Sequence, residues 1–192
     1  MSQLALFGTS ADPPTCGHQV LLEALLQRYP AVATWASDNP LKQHGAPLAQ
    51  RAQLLAALVA SIGNPRLELA QDLSSPWAIE TLERAQQRWP QAELVFVVGS
   101  DLAPQIPRWK QADQILSRCQ LAIAPRGGWP LTAEHRHTLE QLGARLEVLP
   151  VQVPATASSQ VRRQLDPSQI PAAVLPALLE HNLYGLASPP PR

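Results

Sequence analysis

The chain has 192 residues, room for one domain with a sizeable core and not comfortably for two. Hydrophobic residues make up 45% of it and charged residues 16%, a composition that excludes a disordered chain. Fifteen basic and fifteen acidic side chains cancel, so no net field points to nucleic acid or an anionic membrane, and any anion must be held by a local site.

In chain order, Leu4–Phe7 reads as a strand, and the spacing of Leu21, Leu22, Leu25 and Leu26 as a helix. Ala31–Ala36 predicts a second strand, followed by helical spacing at Leu54, Leu55, Leu58 and Val59. Leu67–Leu69 is a third strand, and Pro76–Trp89 a helix with proline near its start. The near-continuous apolar run Leu94–Val98 suits a strand buried on both faces. Leu121–Ala124 and Leu146–Leu149 complete the strands, with a helix-like stretch over Leu131–Leu142 between them. Helical pattern returns at Ser158–Leu165 and Pro171–Leu179. This alternation predicts a single α/β domain, a doubly wound parallel sheet spanning residues 1–186, with a Pro-rich tail over 187–192. No apolar run approaches the ~20 residues of a membrane helix. The opening MSQLALFG has neither a basic start nor a long apolar stretch, so no secretory signal is expected. Cys16 and Cys119 make no disulfide framework or zinc-ligand spacing, and a cytoplasmic address is expected.

In such a sheet, ligands bind at the carboxyl ends of the strands, where the winding direction reverses. The first strand runs into Gly8-Thr9-Ser10-Ala11-Asp12-Pro13-Pro14-Thr15-Cys16-Gly17-His18. Gly8 is expected to let a ligand approach the backbone, and small Thr9 and Ser10 to leave amides accessible. His18 falls in the first turn of the next helix, where unpaired N–H groups and the dipole favour an anion. This loop resembles the G-x-[ST]-x-D-P-x-[HT]-x-G-H signature of the nucleotidyltransferase superfamily, which implies a Rossmann-like fold. The resemblance further implies that Thr15, His18 and the loop around Gly8, Thr9, Ser10 and Gly17 contact nucleotide phosphates. Thr156-Ala157-Ser158-Ser159-Gln160-Val161-Arg162 is similar to the family's I-S-S-T-x-[IV]-R, with Ala157 for the first Ser and Ser159 for Thr. Ser158, Ser159 and Arg162 are thereby candidates for a second phosphate site, where the arginine fork suits the ligand.

Two blocks choose among members. Gly99-Ser100-Asp101-Leu102 and Pro107-Arg108-Trp109 resemble a block of the nicotinate-nucleotide adenylyltransferases. By that resemblance Asp101 takes ribose hydroxyls and Trp109 lies against the pyridine ring. Leu121 to Gly128 resembles the family strand ending in R-P-G, with Gly127 for Pro, and brings in Arg126. Asn39-Pro40-Leu41-Lys42-Gln43-His44, with Arg51 in the following helix, resembles the family's N-x-P-x-K/H loop, which by that resemblance closes over phosphates and makes Lys42 a candidate for neutralising transferring charge. Trp77 falls on the aromatic position of a further family motif, whereas Ala78 stands where that motif has a hydroxyl that helps recognise the nicotinate carboxylate.

The resemblance implies a nicotinate-nucleotide adenylyltransferase of NAD biosynthesis: AMP passes from ATP to nicotinate mononucleotide, giving deamido-NAD and pyrophosphate. Mg²⁺ is expected on the ATP phosphates, with no dedicated protein metal site. Asp12 is expected to fix the turn before Pro13, with contact to metal-bound water as the alternative. Nicotinamide mononucleotide and pantetheine phosphate are the alternative acceptors, and a non-catalytic nucleotide-binding regulator is the alternative of a different class. Neither nucleic acid nor membrane is an expected partner, and helices outside the loops could pair in a homo-oligomer.

Overall fold

The structure is a computed structural model that describes residues 2–39, 42–151, 153, 158–164 and 166–185. Pro40, Leu41, Thr156, Ala157, Leu165 and the predicted tail over 187–192 lie outside the described residues, as does residue 186, where the domain was expected to end.

β1 (Gln3–Thr9) alternates by the pleat, sending Leu4 and Leu6 to one face and Ala5 and Phe7 to the other. Each face meets its own layer of helices, which is why the strand reads as a continuous apolar run. α1 (Cys16–Arg28) leads to β2 (Ala31–Ala36), and α2 (Leu48–Ile62) to β3 (Leu67–Leu69). α3 (Ala78–Arg88) leads to β4 (Glu93–Gly99), α4 (Ala112–Arg118) to β5 (Gln120–Ala124), and α5 (Ala133–Gln141) to β6 (Arg145–Val148). Two short helices, α6 (Ser158–Gln164) and α7 (Leu175–Glu180), follow.

Every strand pairing is parallel, in the order β3-β2-β1-β4-β5-β6. The predicted doubly wound α/β sheet is therefore present. One core packs α1, α2, α6 and α7 through Leu22, Leu55, Leu58, Val161 and Leu178 against Phe7, Val95 and Val97. The other packs α3, α4 and α5 through Ile79, Leu82, Ile115 and Leu139 against Leu6, Phe96 and Val98. Among the described residues, no helix is long and apolar enough to cross a membrane.

Two elements differ from expectation. α4 was not anticipated, because a seven-residue helix burying only Ala112, Ile115 and Leu116 is too short to display a period. The last predicted helix starts at Leu175 rather than Pro171, with Pro176 in its first turn and turns before it.

The chain winds outward from the centre, so the β1–β4 boundary is the switch point and Thr9 and Gly99 mark the carboxyl ends beside it. Gly8 shares register with Trp35 on β2, and a Cβ on Gly8 would lie 2.6 Å from the indole ring. The glycine is thus required by packing against a ring that is itself buried, in addition to any ligand it lets approach. Gly8→Ala should lose about 1–3 kcal/mol in urea unfolding through overpacking, and Trp35→Leu in the same chain should return part of that loss. Wild-type stability in the single variant would contradict the register.

Candidate active site

A cleft of about 580 Å³ opens at the switch point. Its walls include Gly8, Thr9, Ser10, Thr15, Gly17 and His18 from the β1–α1 connection, and Lys42 and His44 from the loop after β2. Gly99, Asp101 and Arg126 contribute from beyond β4 and β5, and Ser158, Ser159 and Arg162 from α6. Phosphate candidates far apart in sequence are thereby brought together.

The geometry of His18 follows from helix capping. Thr15 is the N-cap of α1 and His18 its third residue, so the imidazole folds back onto the cap. Nδ1 accepts the Thr15 N–H at 3.0 Å and lies 2.8 Å from the Thr15 hydroxyl. A backbone amide can only donate, so Nδ1 carries the lone pair and the neutral ring carries its proton on Nε2. Burial first, then Arg126 and Lys42, lower the His18 pKa from 6.5 to about 4. The ring is a neutral Nε2–H donor at neutral pH. Thr15 itself is buried and lines the cleft, and its hydroxyl lies on the imidazole, so in the free chain it orients His18.

Two buried side chains hold the loops. Arg51 of α2 is wholly enclosed, donating through Nε to the Ala46 carbonyl and through Nη1 to those of Ser10 and Ser37, each at 2.7 Å for the Nη1 bonds. Its Nη2 donates to the Asp38 carboxylate at 2.7 Å. Asp12 is the second centre. Its carboxylate accepts the Gly45 N–H at 2.8 Å and the Tyr184 hydroxyl at 2.6 Å, and lies 3.0 Å from Arg162 Nη1. Asp12 therefore does more than fix the turn before Pro13. His44 lies between two carboxylates, 3.6 Å from Asp12 and 3.5 Å from Asp38. Within α6, the Ser158 hydroxyl donates to the Pro13 carbonyl at 2.8 Å, tying this segment to the first loop, while Ser159 is exposed at the cleft.

Beyond β4, Asp101 pairs with Arg126 at 2.9 Å. The carboxylate lies over Gly99, where a Cβ would meet it at 2.4 Å, so Gly99 is needed for Asp101 to fold back. The buried Ser100 hydroxyl accepts the Arg126 N–H at 2.9 Å and donates to the Trp129 carbonyl at 2.6 Å. That pins the hairpin carrying Trp129, which lines the cleft with 55% of its surface exposed. The structure does not bring Trp77 and Trp109 into the cleft wall. Trp109 packs edge-on against Phe96 at 6.1 Å, and exposed Trp77 lies beneath the Lys110 ammonium, 5.4 Å from the ring centroid.

Sequence reasoning missed Trp129, Ser100 and Tyr184. Trp129 follows directly on the Arg126-Gly127-Gly128 stretch, a position that marks it as a loop aromatic beside the site. Nothing local marks Tyr184, which reaches Asp12 from 172 residues away.

A parallel sheet with a capped imidazole and several cations at its switch point is the architecture of a nucleotide-binding protein of the Rossmann-like class. The cytidylyltransferase-like family model matches residues 6–167. A Synechocystis sp. protein named "Probable nicotinate-nucleotide adenylyltransferase" is 36% identical, over 95% of this chain and 98% of that protein. A protein of the same name from Gemmatimonas aurantiaca is 30% identical, over 95% and 92% respectively. A solved Plasmodium falciparum nicotinic acid mononucleotide adenylyltransferase, complexed with NaAD, shares the fold at a TM-score of 0.74 and 17% identity, covering 96% of this chain and 98% of that one. The chain belongs to the cytidylyltransferase-like family of nucleotidyltransferases, within its nicotinate-nucleotide adenylyltransferase branch.

The lowered pKa of His18 sets a pH window. Its folded value, about 4, is below the unfolded 6.5, so between these the unfolded chain binds the proton and the native ring does not. His18 therefore removes stability as pH falls through that window and has no effect above it. Its NMR titration should have a midpoint near 4 in the free protein and move upward when ATP adds negative charge. A free-protein midpoint at 6.5 would show a solvated ring.

Proposed function

We propose that this chain transfers AMP from Mg-ATP to nicotinate mononucleotide, giving deamido-NAD and pyrophosphate, in the cytoplasm. The observation that carries the reading is the convergence of His18, Lys42, Arg126 and Arg162 on one cleft in a chain of zero net charge. Gathering cations locally serves a reaction that brings two anions together.

The acceptor's 5′-phosphate oxygen is already a nucleophile. It attacks the α-phosphorus of ATP in line, a new P–O bond forms, and the bond to the bridging oxygen breaks with its electron pair leaving on pyrophosphate. No side chain need be deprotonated. Nε2–H of His18 donates to phosphate oxygens, and the amides around Gly8, Thr9, Ser10 and Gly17 line the same path. Ser158, Ser159 and Arg162 hold the ATP phosphates, and Lys42 adds charge from the loop after β2.

Mg²⁺ enters on ATP as part of the substrate. Both Asp12 carboxylate oxygens already take donors, so the ion would be held mainly by the phosphate oxygens of ATP.

The mononucleotide is assigned to the half of the cleft at Gly99, Asp101 and Arg126. Arg126 holds Asp101 in place for the ribose diol. Trp129 supplies an aromatic face at the mouth. Trp77 and Trp109, outside the cleft wall in the free chain, are assigned to the pyridine side of the site, a grouping supported by the Lys110–Trp77 contact that joins their two segments. α3 opens at Ala78, and the first N–H groups of a helix have no intrahelical partner, so backbone donors can receive the nicotinate carboxylate without a hydroxyl there.

Pyrophosphate release should be fastest with nicotinate mononucleotide when compared against nicotinamide mononucleotide and phosphopantetheine. Preference for either of the others would replace the assigned acceptor, and ATP binding without release would make the chain a regulator. His18→Ala should lower kcat about 10²–10³-fold, the cost of one well-placed donor, with thermal unfolding as the control for folding. Trp129→Ala and Trp109→Ala should each raise KM for the mononucleotide more than KM for Mg-ATP. An equal rise for both substrates would argue against an aromatic acceptor pocket.

A further inference from the structure

The last described segment of the chain reaches into the cleft region. A short 3-10 turn over Leu183–Gly185 follows α7, and Tyr184 within it has φ 58° and ψ 19°. This left-handed conformation is uncommon for a residue with a side chain, and at Tyr184 surrounding contacts hold it. The contacts are specific. The phenol hydroxyl donates to Oδ1 of Asp12 at 2.6 Å, and the ring covers Gly45, where a Cβ would lie 2.8 Å from it. The same Cβ would lie 2.7 Å from the Arg162 side chain, so Gly45 is the gap into which the tyrosine and the arginine both fit.

Asp12 is almost fully enclosed. A buried carboxylate distributes its charge over whatever donors surround it. Here Tyr184 serves Oδ1, while the Gly45 N–H and Arg162 Nη1 lie on Oδ2. Without the phenol hydroxyl, Oδ1 loses that donor, and the nearest cation able to compensate is Arg162. A guanidinium drawn further onto Asp12 is drawn away from phosphates. Burial and the bond to Asp12 both push the phenol's pKa upward, so it remains a donor throughout the working range.

We propose that Tyr184 is a positioning residue for adenylyl transfer, satisfying Asp12 so that Arg162 and the loop at Gly45 stay arranged for the ATP phosphates. This rests on the adenylyltransferase reading above. Tyr184→Phe keeps the ring over Gly45 and removes only the hydroxyl.

The test uses the full chain, with pyrophosphate release measured while each substrate is varied in turn. Tyr184→Phe should raise KM for Mg-ATP about tenfold, the scale of one hydrogen bond to a charged group, and leave KM for nicotinate mononucleotide unchanged. In a chain already carrying Asp12→Asn, the same change should add little further effect, because the carboxylate it serves is gone. Wild-type kinetics in Tyr184→Phe would overturn the proposal. So would an equal loss for both substrates with lowered thermal stability, or full additivity with Asp12→Asn, since either marks a purely structural role. Should the wild-type protein release no pyrophosphate with nicotinate mononucleotide, the adenylyltransferase reading alone fails. Calorimetric titration with Mg-ATP then decides: about tenfold weaker binding by Tyr184→Phe supports the positioning role, and equal binding overturns it.

Discussion

Enclosing the guanidinium of Arg51 removes a full charge from water, at a cost on the order of several kcal/mol. The cost is met because four of its N–H groups reach acceptors that the fold brings together: the carbonyls of Ala46, Ser10 and Ser37, and the carboxylate of Asp38. These acceptors belong to the loops after β1 and β2, so one cation fixes the relative position of both rims on this side of the cleft. A lysine could not replace it, since an ammonium presents its donors from a single point and cannot span such a fork. Loop backbone that would otherwise remain solvated becomes a shaped wall.

The cations facing the cleft are held differently. Arg162 is paired with Asp12, and Arg126 with Asp101, each within 3.0 Å. Such pairs keep the arginines in place before an anion arrives and limit their mutual repulsion. The imidazole of His18 is kept neutral by the same surroundings, so it offers hydrogen bonding without adding a further charge to the site. In a chain of zero net charge, the cations gathered at the cleft make a local site for anions.

Much of this was readable in the sequence, for reasons that differ by element. The strands were legible because burial on both faces turns them into apolar runs, as at Leu94–Val98, which lies inside the observed β4. The first loop was legible because its residue types are constrained together. The spacing of Thr15 and His18 also holds a capping relation, though only coordinates show that the threonine serves the imidazole. What was hidden depends on register or on distant segments. The packing need for Gly8 appears only when Trp35 is placed opposite it. Tyr184 stands in no motif, and its value comes from reaching Asp12 across the whole chain. Trp77 and Trp109 were marked by their places in family motifs, whereas their packing on Lys110 and Phe96 is visible only in the coordinates.

Because β1 lies at the centre of the sheet, its second neighbour is made late. Gln3 pairs with Glu93, so as the chain leaves the ribosome the first strand can join β2 long before β4 exists. Until then one side of β1 presents unpaired N–H and C=O groups, an open template of the kind that invites pairing between neighbouring nascent chains. The strand that leads into the cleft is therefore also an edge that stays open until more than ninety residues have been made.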